Sequence, residues 1–407
     1  MNKIILILTS TYPYKPGEEF LETEFYYWGN VNRNDVKIIL MPLSKGNNVR
    51  RPIPDNIFLS NILVNSIRRN KIYKIIYLIK ALYSPILLKE VIFNKAISLK
   101  KIYYALRTIA HSLLIADILK NYFKNRPLPN IVYNYWFDVS TYASCMCFNK
   151  KNIPIITRAH GFDVYKERRP LKYMPIKWQF SRKINRVYAI SHEGKEYLSK
   201  TYKINKEKVF VSRLGVSNAE RINYGSTDEN QLNIISISYC VPVKRIDKII
   251  DSLSLIIKMN KSLKINWTHY GDGPLKDALV NMASKKLKEN IKWKFAGYYN
   301  NRKLLEEIAN IEVDLLINTS ESEGVPVSIM EALARGIPVI APEVGGIPEQ
   351  IVNGINGFLL PENPSPNKIA NVIIANIAFF KDKSTRITCY EKWKNNYSAE
   401  KNYNQFI

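Results

Sequence analysis

Glu323–Ala341 reads E-G-V-P-V-S-I-M-E-A-L-A-R-G-I-P-V-I-A, and the apolar run Val313–Asn318 precedes it. The run predicts a buried strand, and Thr319–Val325 a polar loop containing Gly324. Pro326 suits the first helical position, where its missing N–H costs nothing. The helix expected over Pro326–Arg335 ends at Gly336, a natural left-handed cap, and Ile337–Ala341 is the next strand. Such a strand–loop–helix–strand unit belongs to an open α/β sheet, which binds ligands beyond the C-terminal ends of its strands.

The same alternation extends over the chain. Strands are expected at Lys3–Leu8, Asn130–Tyr135, Pro154–Arg158, Arg186–Ile190 and Lys208–Ser212, and a second set at Asn233–Ser238, Lys264–Tyr270, Ile291–Phe295, Val313–Asn318 and Ile337–Ala341. Gly215–Gln231, rich in Asn, Ser, Gly and Asp, reads as a linker between the sets. The expected fold class is α/β, with two doubly wound domains over 1–215 and 216–389. Tyr390–Ile407 follows the second sheet, and its Trp393, Tyr397, Tyr403 and Phe406 suggest a terminal helix packing back on the first domain.

Composition narrows the function. The 407 residues exceed one hydrophobic core, and 46% apolar with 23% charged residues is globular. Sixty Lys and Arg against 35 Asp and Glu leave a formal net charge of +25, of which residues 1–200 carry +20 and the remainder +5. An excess so placed calls for an anionic partner of the first domain. Arg51–Arg126, containing S-I-R-R-N-K-I-Y-K-I-I-Y-L-I-K-A-L-Y, mixes Ile, Leu and Tyr with recurrent Lys and Arg. Such helices lie in a membrane interface, or are core helices with a solvated basic face. No nucleic-acid-binding module is visible. Cys145, Cys147, Cys240 and Cys389 lack zinc or disulfide-framework spacing, so reduced thiols in a cytoplasmic protein are expected. No uncharged run approaches the roughly eighteen residues of a spanning helix, and Met1–Thr9 has no cleavage-site pattern. Neither secretion nor membrane insertion is expected.

Two glutamates frame the decisive loop. Glu323 lies just before the helix and Glu331 in its second turn, leaning back toward the same crevice. The backbone at Gly324, Val325, Pro326 and Val327, with free N–H groups and the positive helix end, suits a phosphate or sugar oxygen. Carboxylates accept from sugar and ribose hydroxyls, so the site fits a phosphorylated polyol. Taken alone, the glutamates also fit an acidic helix start that complements the dipole. Glu321 and Glu323 could form a metal pair, but no third acidic or His ligand stands near them, so no metal is expected.

With V-G-G-I-P-E-Q-I-V-N-G-I-N-G-F-L-L following at Val344–Leu360, this segment closely resembles the signature of the family-4 (group 1) retaining glycosyltransferases, whose two glutamates are separated by seven residues. The resemblance implies two facing Rossmann-like domains, the GT-B fold. It also implies a C-terminal domain that holds the nucleotide-sugar donor and an N-terminal one that holds the acceptor. Glu323 would contact the donor sugar and Glu331 the ribose.

Weaker matches extend the resemblance. Y-G-D-G-P (Tyr270–Pro274) looks like the family's glycine turn, and Phe295–Gly297 ends the strand near which the family holds the base. S-I-S-Y-C-V-P-V-K-R-I-D occupies the place of G-R-L-x-P-x-K-G, with Lys244 matching the lysine that neutralises the leaving diphosphate. The family arginine is replaced by Tyr239, which offers no cationic fork. Arg245, where the family has glycine, would compensate for it in part. As an isolated pair, Lys244 and Arg245 read as a solvated helix start.

In the first domain, R-A-H-G-F-D-V-Y places His160 at a strand end, where the family histidine contacts the donor sugar. Asp163 would orient its imidazole or contact acceptor. By residue type alone, His160 is a hydrogen-bonded loop histidine. T-S-T-Y-P-Y-K-P-G-E-E-F leads through Gly17, matching a loop near the diphosphate, into a helix expected to carry Glu18, Glu19 and Glu22 in its opening turns.

The implied activity is metal-independent transfer of a sugar with retention of configuration. The donor would be a UDP- or GDP-sugar, used as substrate rather than cofactor. The acceptor would be a saccharide, expected to be lipid-linked, in bacterial surface polysaccharide (lipopolysaccharide or capsule) synthesis on the inner face of the plasma membrane. A catalytically weak membrane-bound scaffold is the alternative. A sugar-nucleotide epimerase is disfavoured by the glutamate spacing and the H-G-x-D context.

Overall fold

The two series of apolar runs form two sheets, each wholly parallel. The computed structural model describes residues 3–32, 34–68, 71–94, 96–219, 221–288 and 290–407, without the side chains of 68 and 71–74. Part of S-I-R-R-N-K-I-Y-K therefore lies outside the described residues. The chain divides into a unit running to Arg213, joined by Phe406–Ile407, and a unit over Leu214–Gln405.

The first unit contains β1 (Lys3–Thr9), α1 (Leu21–Trp28), β2 (Val36–Pro42), β3 (Ile57–Leu59), α2 (Ile62–Arg68), α3 (Lys71–Leu82), α4 (Pro85–Phe93) and α5 (Leu99–Tyr122). It continues with β4 (Ile131–Asn134), α6 (Val139–Phe148), β5 (Ile155–Ala159), α7 (Gly161–Val164), α8 (Lys177–Ser181), β6 (Arg186–Ala189), α9 (His192–Tyr202) and β7 (Val209–Val211). Strand order is β3-β2-β1-β4-β5-β6-β7. Side chains alternate along β1. Leu6 and Leu8 enter a core with Ile109 and Ile115 of α5, whereas Ile7 enters another with Phe25 and Trp28 of α1.

The second unit runs β8 (Gln231–Ile237), α10 (Ile246–Met259), β9 (Lys264–Tyr270), α11 (Lys276–Lys286), β10 (Ile291–Gly297), α12 (Asn301–Asn310), β11 (Leu315–Ile317), α13 (Val327–Leu333) and β12 (Val339–Pro342). It closes with α14 (Ile347–Gln350), β13 (Gly357–Leu360), α15 (Pro366–Ala375), α16 (Ile377–Lys381), α17 (Lys383–Asn396) and α18 (Ala399–Phe406). Its order is β10-β9-β8-β11-β12-β13. Strand order therefore reverses at β1/β4 and at β8/β11, the places where doubly wound sheets open a ligand crevice.

Several expectations are corrected. No strand was expected between Leu8 and Asn130, yet β2 and β3 lie there. Both are continuous or very short apolar runs, which show no period. The four-residue β13 was missed for the same reason. Pro326 is not the first helical residue but the extended cap, with φ −61° and ψ 124°, and α13 spans only Val327–Leu333. Gly336 has the expected left-handed φ of +70°. Glu18 and Glu19 precede α1, which begins at Leu21, because Glu18 turns left-handed at φ +55°.

The terminal segment begins with α17 at Lys383 rather than at Tyr390. Trp393 Nε1 donates to the Val216 carbonyl within the second unit. Phe406 belongs to the first unit, with the Arg158 guanidinium 4.3 Å from its ring centre.

Among the described helices α5 is long and apolar enough to cross a membrane by length and composition, with mean hydropathy 1.3. Half of that apolar window is buried in the first unit, with Ala105, Ile109, Ile115 and Leu119 in the core, so a core helix accounts for its composition. All four cysteines are buried free thiols, and burial pushes Cys145 and Cys389 up to about 12.

Candidate functional site

In the second unit, the loops after β8 and β11 meet at the point of strand reversal. Main-chain and hydroxyl bonds clip them together: Glu321 N donates to Val243 O at 2.9 Å, and Thr319 Oγ1 donates to the carbonyls of Lys244 at 3.0 Å and Arg245 at 2.8 Å. Lys244 Nζ thereby stands 2.6 Å from Glu323 Oε1, both side chains mostly buried but still open to solvent. Asn318 Nδ2 lies 3.4 Å from the same oxygen. Gly346 N donates to Gly324 O at 2.7 Å and Gln350 Nε2 to Pro326 O at 3.1 Å, fixing the start of α13.

Glu331 is buried in α13 and accepts from Asn301 Nδ2 at the start of α12. Burial pushes its carboxyl up to about 7, with Asn301 and Arg335 opposing the rise. Asn301 carries no signal in the sequence, since it is brought to Glu331 by the β10–α12 connection.

The glycine turn at Tyr270–Pro274 supports the β8 loop from below. A Cβ on Gly271 would stand 1.8 Å from Ser238 O, so no side chain fits there. Cys240 N donates to Asp272 O at 2.9 Å. His269, not singled out from the sequence, is wholly buried here between Ser236 Oγ (2.8 Å) and Ser238 O (3.1 Å), and burial pulls it down to about 4. It is a neutral support for the loop. Gly297 ends β10 beside this turn, with Gly271 N donating to its carbonyl at 2.9 Å.

Arg245, expected to compensate in part for the family arginine, is engaged by carboxylates. Its guanidinium is held by Asp247, with Nη2–Oδ2 at 3.0 Å and Nε–Oδ1 at 3.1 Å, and by Glu321, and these bonds raise its pKa further. Tyr239 is 56% exposed. Glu321 and Glu323 face different cations, Arg245 and Lys244, rather than converging as a metal pair.

In the first unit, His160 follows β5 as the residue before α7. Its ring lies 4.5 Å from that of Trp136 and 4.7 Å from that of Tyr135, buried, with neither nitrogen hydrogen-bonded. It is therefore not a hydrogen-bonded loop histidine. Nor does Asp163 orient it: the nearest approach of Nδ1 is 3.9 Å, beyond hydrogen-bond range. Asp163 instead accepts from the main-chain N–H groups of His160 and, at 2.7 Å, Phe137.

Gly17 lies in the β1 loop, but the amides at the end of β1 are already filled. The Glu18 carboxylate accepts from the N–H groups of Ser10 (3.0 Å), Thr11 (2.6 Å) and Tyr12 (2.5 Å), and from Trp136 Nε1. That folding back was illegible from a run of glutamates.

Two wholly parallel doubly wound sheets, each with its own strand reversal, are the architecture of the GT-B fold. The chain matches the family "Glycosyl transferases group 1" over residues 219–392 and "Glycosyltransferase Family 4" over residues 91–220. It belongs to the group 1 glycosyltransferases.

It is 27% identical to the uncharacterized glycosyltransferase MJ1178 of Methanocaldococcus jannaschii over 288 residues, 70% of this chain and 75% of that protein. It is also 27% identical to the putative colanic acid biosynthesis glycosyltransferase WcaL of Salmonella typhimurium, over 51% of this chain and about half (52%) of that one. The fold matches the lipopolysaccharide outer core galactosyltransferase WaaB, apo form, with a TM-score of 0.69 at 16% identity over 99% of this chain and 98% of the other.

Proposed function

We propose that the protein transfers a sugar from a UDP- or GDP-sugar to a lipid-linked saccharide acceptor, with retention of configuration and without a metal ion, in bacterial surface polysaccharide synthesis. The observation that carries this reading is the Lys244–Glu323 pair of 2.6 Å at the β8/β11 reversal. A carboxylate there accepts from sugar hydroxyls while the ammonium neutralises a departing diphosphate, the task a metal performs elsewhere. In the retaining route the leaving diphosphate assists the incoming hydroxyl on the same face. The protein's share is then positioning and charge stabilisation. Glu331 would receive the ribose hydroxyls, and His160, with both nitrogens unsatisfied, a sugar hydroxyl. The relative named for colanic acid biosynthesis supports the pathway, and the scaffold alternative gains nothing from relatives named as transferases.

A panel of UDP-, GDP- and ADP-sugars, followed for slow hydrolysis of the donor, tests this reading. Turnover of one base class is expected, and no turnover of any donor with or without saccharide acceptors would sink it.

The Glu331 role has a pH signature. Its folded pKa of about 7 lies above the unfolded carboxylate value near 4.3, so the fold favours the neutral acid. That contribution to stability is full below about pH 4.3 and fades as pH rises through about 7. Acceptance from ribose needs the ionised form, so donor KM should fall as pH rises from about 6 to 8. Glu331→Gln should raise donor KM roughly tenfold or more and flatten this profile. An unchanged profile in the variant would remove Glu331 from donor binding.

The first unit would work against an anionic bilayer at the cytoplasmic face. Ile75, Ile79 and Leu82 of α3, Leu88 and Ile92 of α4, and Leu99 at the start of α5 are all exposed, in the half that carries +20. Sedimentation with anionic liposomes and release by high salt are expected. Equal binding to neutral liposomes would contradict an electrostatic attachment.

A further inference from the structure

One buried carboxylate ties together the loops that follow β1 and β4. Glu18 Oε2 accepts from the N–H groups of Thr11 and Tyr12 and from Thr11 Oγ1 at 3.1 Å, all within the β1 loop. Its Oε1 accepts from Ser10 N at 3.0 Å and, across the β1/β4 reversal, from Trp136 Nε1 at 2.5 Å. The three amides suffice to cap the β1 loop. The indole bond does something else, since it fixes a side chain 118 positions away with a charge-assisted hydrogen bond.

The ring so fixed lies against His160, which follows β5. Trp136 and His160 have centroids 4.5 Å apart with planes at 46°, and Tyr135 adds a second ring at 4.7 Å and 32°. The left-handed turn at Glu18, φ +55°, also brings Phe20 to this group, 6.3 Å from the His160 ring. Asp163 fixes only the main chain of His160, and neither imidazole nitrogen has a hydrogen-bond partner in the protein. The angle of the imidazole is therefore set by the rings it touches, whose contacts prefer particular geometries. Trp136 is the ring that Glu18 pins.

We infer that Glu18 is a positioning residue, holding the Trp136 indole so that it aims the His160 imidazole. This rests on the reading of His160 as a sugar contact given above and goes beyond it by assigning the group that orients it. Glu18 acts through the indole and needs no contact with the sugar. A carboxylate serving only the β1 loop would leave the indole free to turn, and the imidazole with it.

Proton–carbon spectra of the full chain with 13C-labelled histidine test the positioning without any substrate. The chain has four histidines, and His160→Ala identifies the signal of that ring. Glu18→Gln, which replaces an accepting oxygen with an amide that cannot accept, should move or broaden the His160 signal and leave those of His111, His192 and His269 in place. It should also lower kcat about tenfold, since small misplacements at a reacting centre are costly. In the His160→Ala background the same change should cost nothing further. Trp136→Phe removes the indole N–H but leaves the amide bonds of Glu18. It should lower kcat alike, again with no further loss in the His160→Ala background, which decides the question if Glu18→Gln does not fold. Thermal melts check each variant. An unmoved His160 signal in folded Glu18→Gln, or a loss in kcat just as large without His160, would overturn the inference.

The two levels separate. A moved signal with full donor hydrolysis by His160→Ala leaves the positioning standing and removes His160 from sugar contact. An unmoved signal with hydrolysis lost in His160→Ala does the reverse.

Discussion

Lys244→Ala is expected to lower sugar transfer by about 10²–10³-fold, with most of the loss in kcat. The ammonium is held at the β8/β11 reversal by loops that are clipped by Thr319 and Glu321, so its position is set before substrate arrives. On the proposed reading it would meet the greatest negative charge as the diphosphate departs, so its removal would cost more in the transition state than in the bound donor. The fold should survive, because Lys244 is partly open to solvent and Glu323 keeps its contact with Asn318. Arg245 is expected to supply little rescue, being tied to Asp247 and Glu321. Steady-state kinetics with the preferred donor, alongside a thermal melt, measures this. A loss of less than about twofold in kcat would return Lys244 to a solvated helix start.

The largest stability effect is expected at Asp314, far from this chemistry in role. Asp314 is wholly buried, accepts from Ser226 N at 2.9 Å and Asn233 N at 2.7 Å, and faces Arg386 Nη2 at 3.6 Å. Arg386, equally buried, donates to the carbonyls of Asn223 (2.7 Å), Val313 (3.0 Å) and Phe380 (2.7 Å). The pair ties α17 and the segment after Leu214 to the edge of β11. Removing one partner leaves the other charge buried, so Asp314→Ala should cost about 3–5 kcal/mol. Adding Arg386→Met should cost less than the two single losses combined, because the stranded guanidinium is gone. Denaturant unfolding of the two single variants and the double measures the coupling, and strict additivity would show that the pair is not a unit.

Legibility followed the physics of each feature. Val313–Leu360 announced its strand, loop and helix because apolar runs, Pro326, Gly324 and Gly336 punctuate it locally, and the glutamate spacing survives as sequence. The reversal points were not readable, since strand order depends on pairings between residues over a hundred positions apart, such as Leu8 with Asn134. Lys244 carries a motif that the sequence displays, but the capture of Arg245 by Glu321 comes from a loop 76 positions away. Glu18 looked like one more acid at a helix start. Its left-handed turn into three backbone amides is a tertiary event that helix periodicity does not report. Asp163 was expected to orient the His160 imidazole or contact acceptor, and its bonds go to backbone rather than to the ring.

The central claim is that Glu323, paired with Lys244, holds the donor sugar for transfer. Its most direct test is single-turnover hydrolysis of the preferred nucleotide sugar by wild type and Glu323→Ala, with the first-formed anomer of the released sugar read by proton NMR. The expected result is release from the wild type with the donor's anomeric configuration retained, and a loss of about 10²-fold or more in the folded variant. Undiminished hydrolysis by Glu323→Ala, or release with inverted configuration, would contradict it.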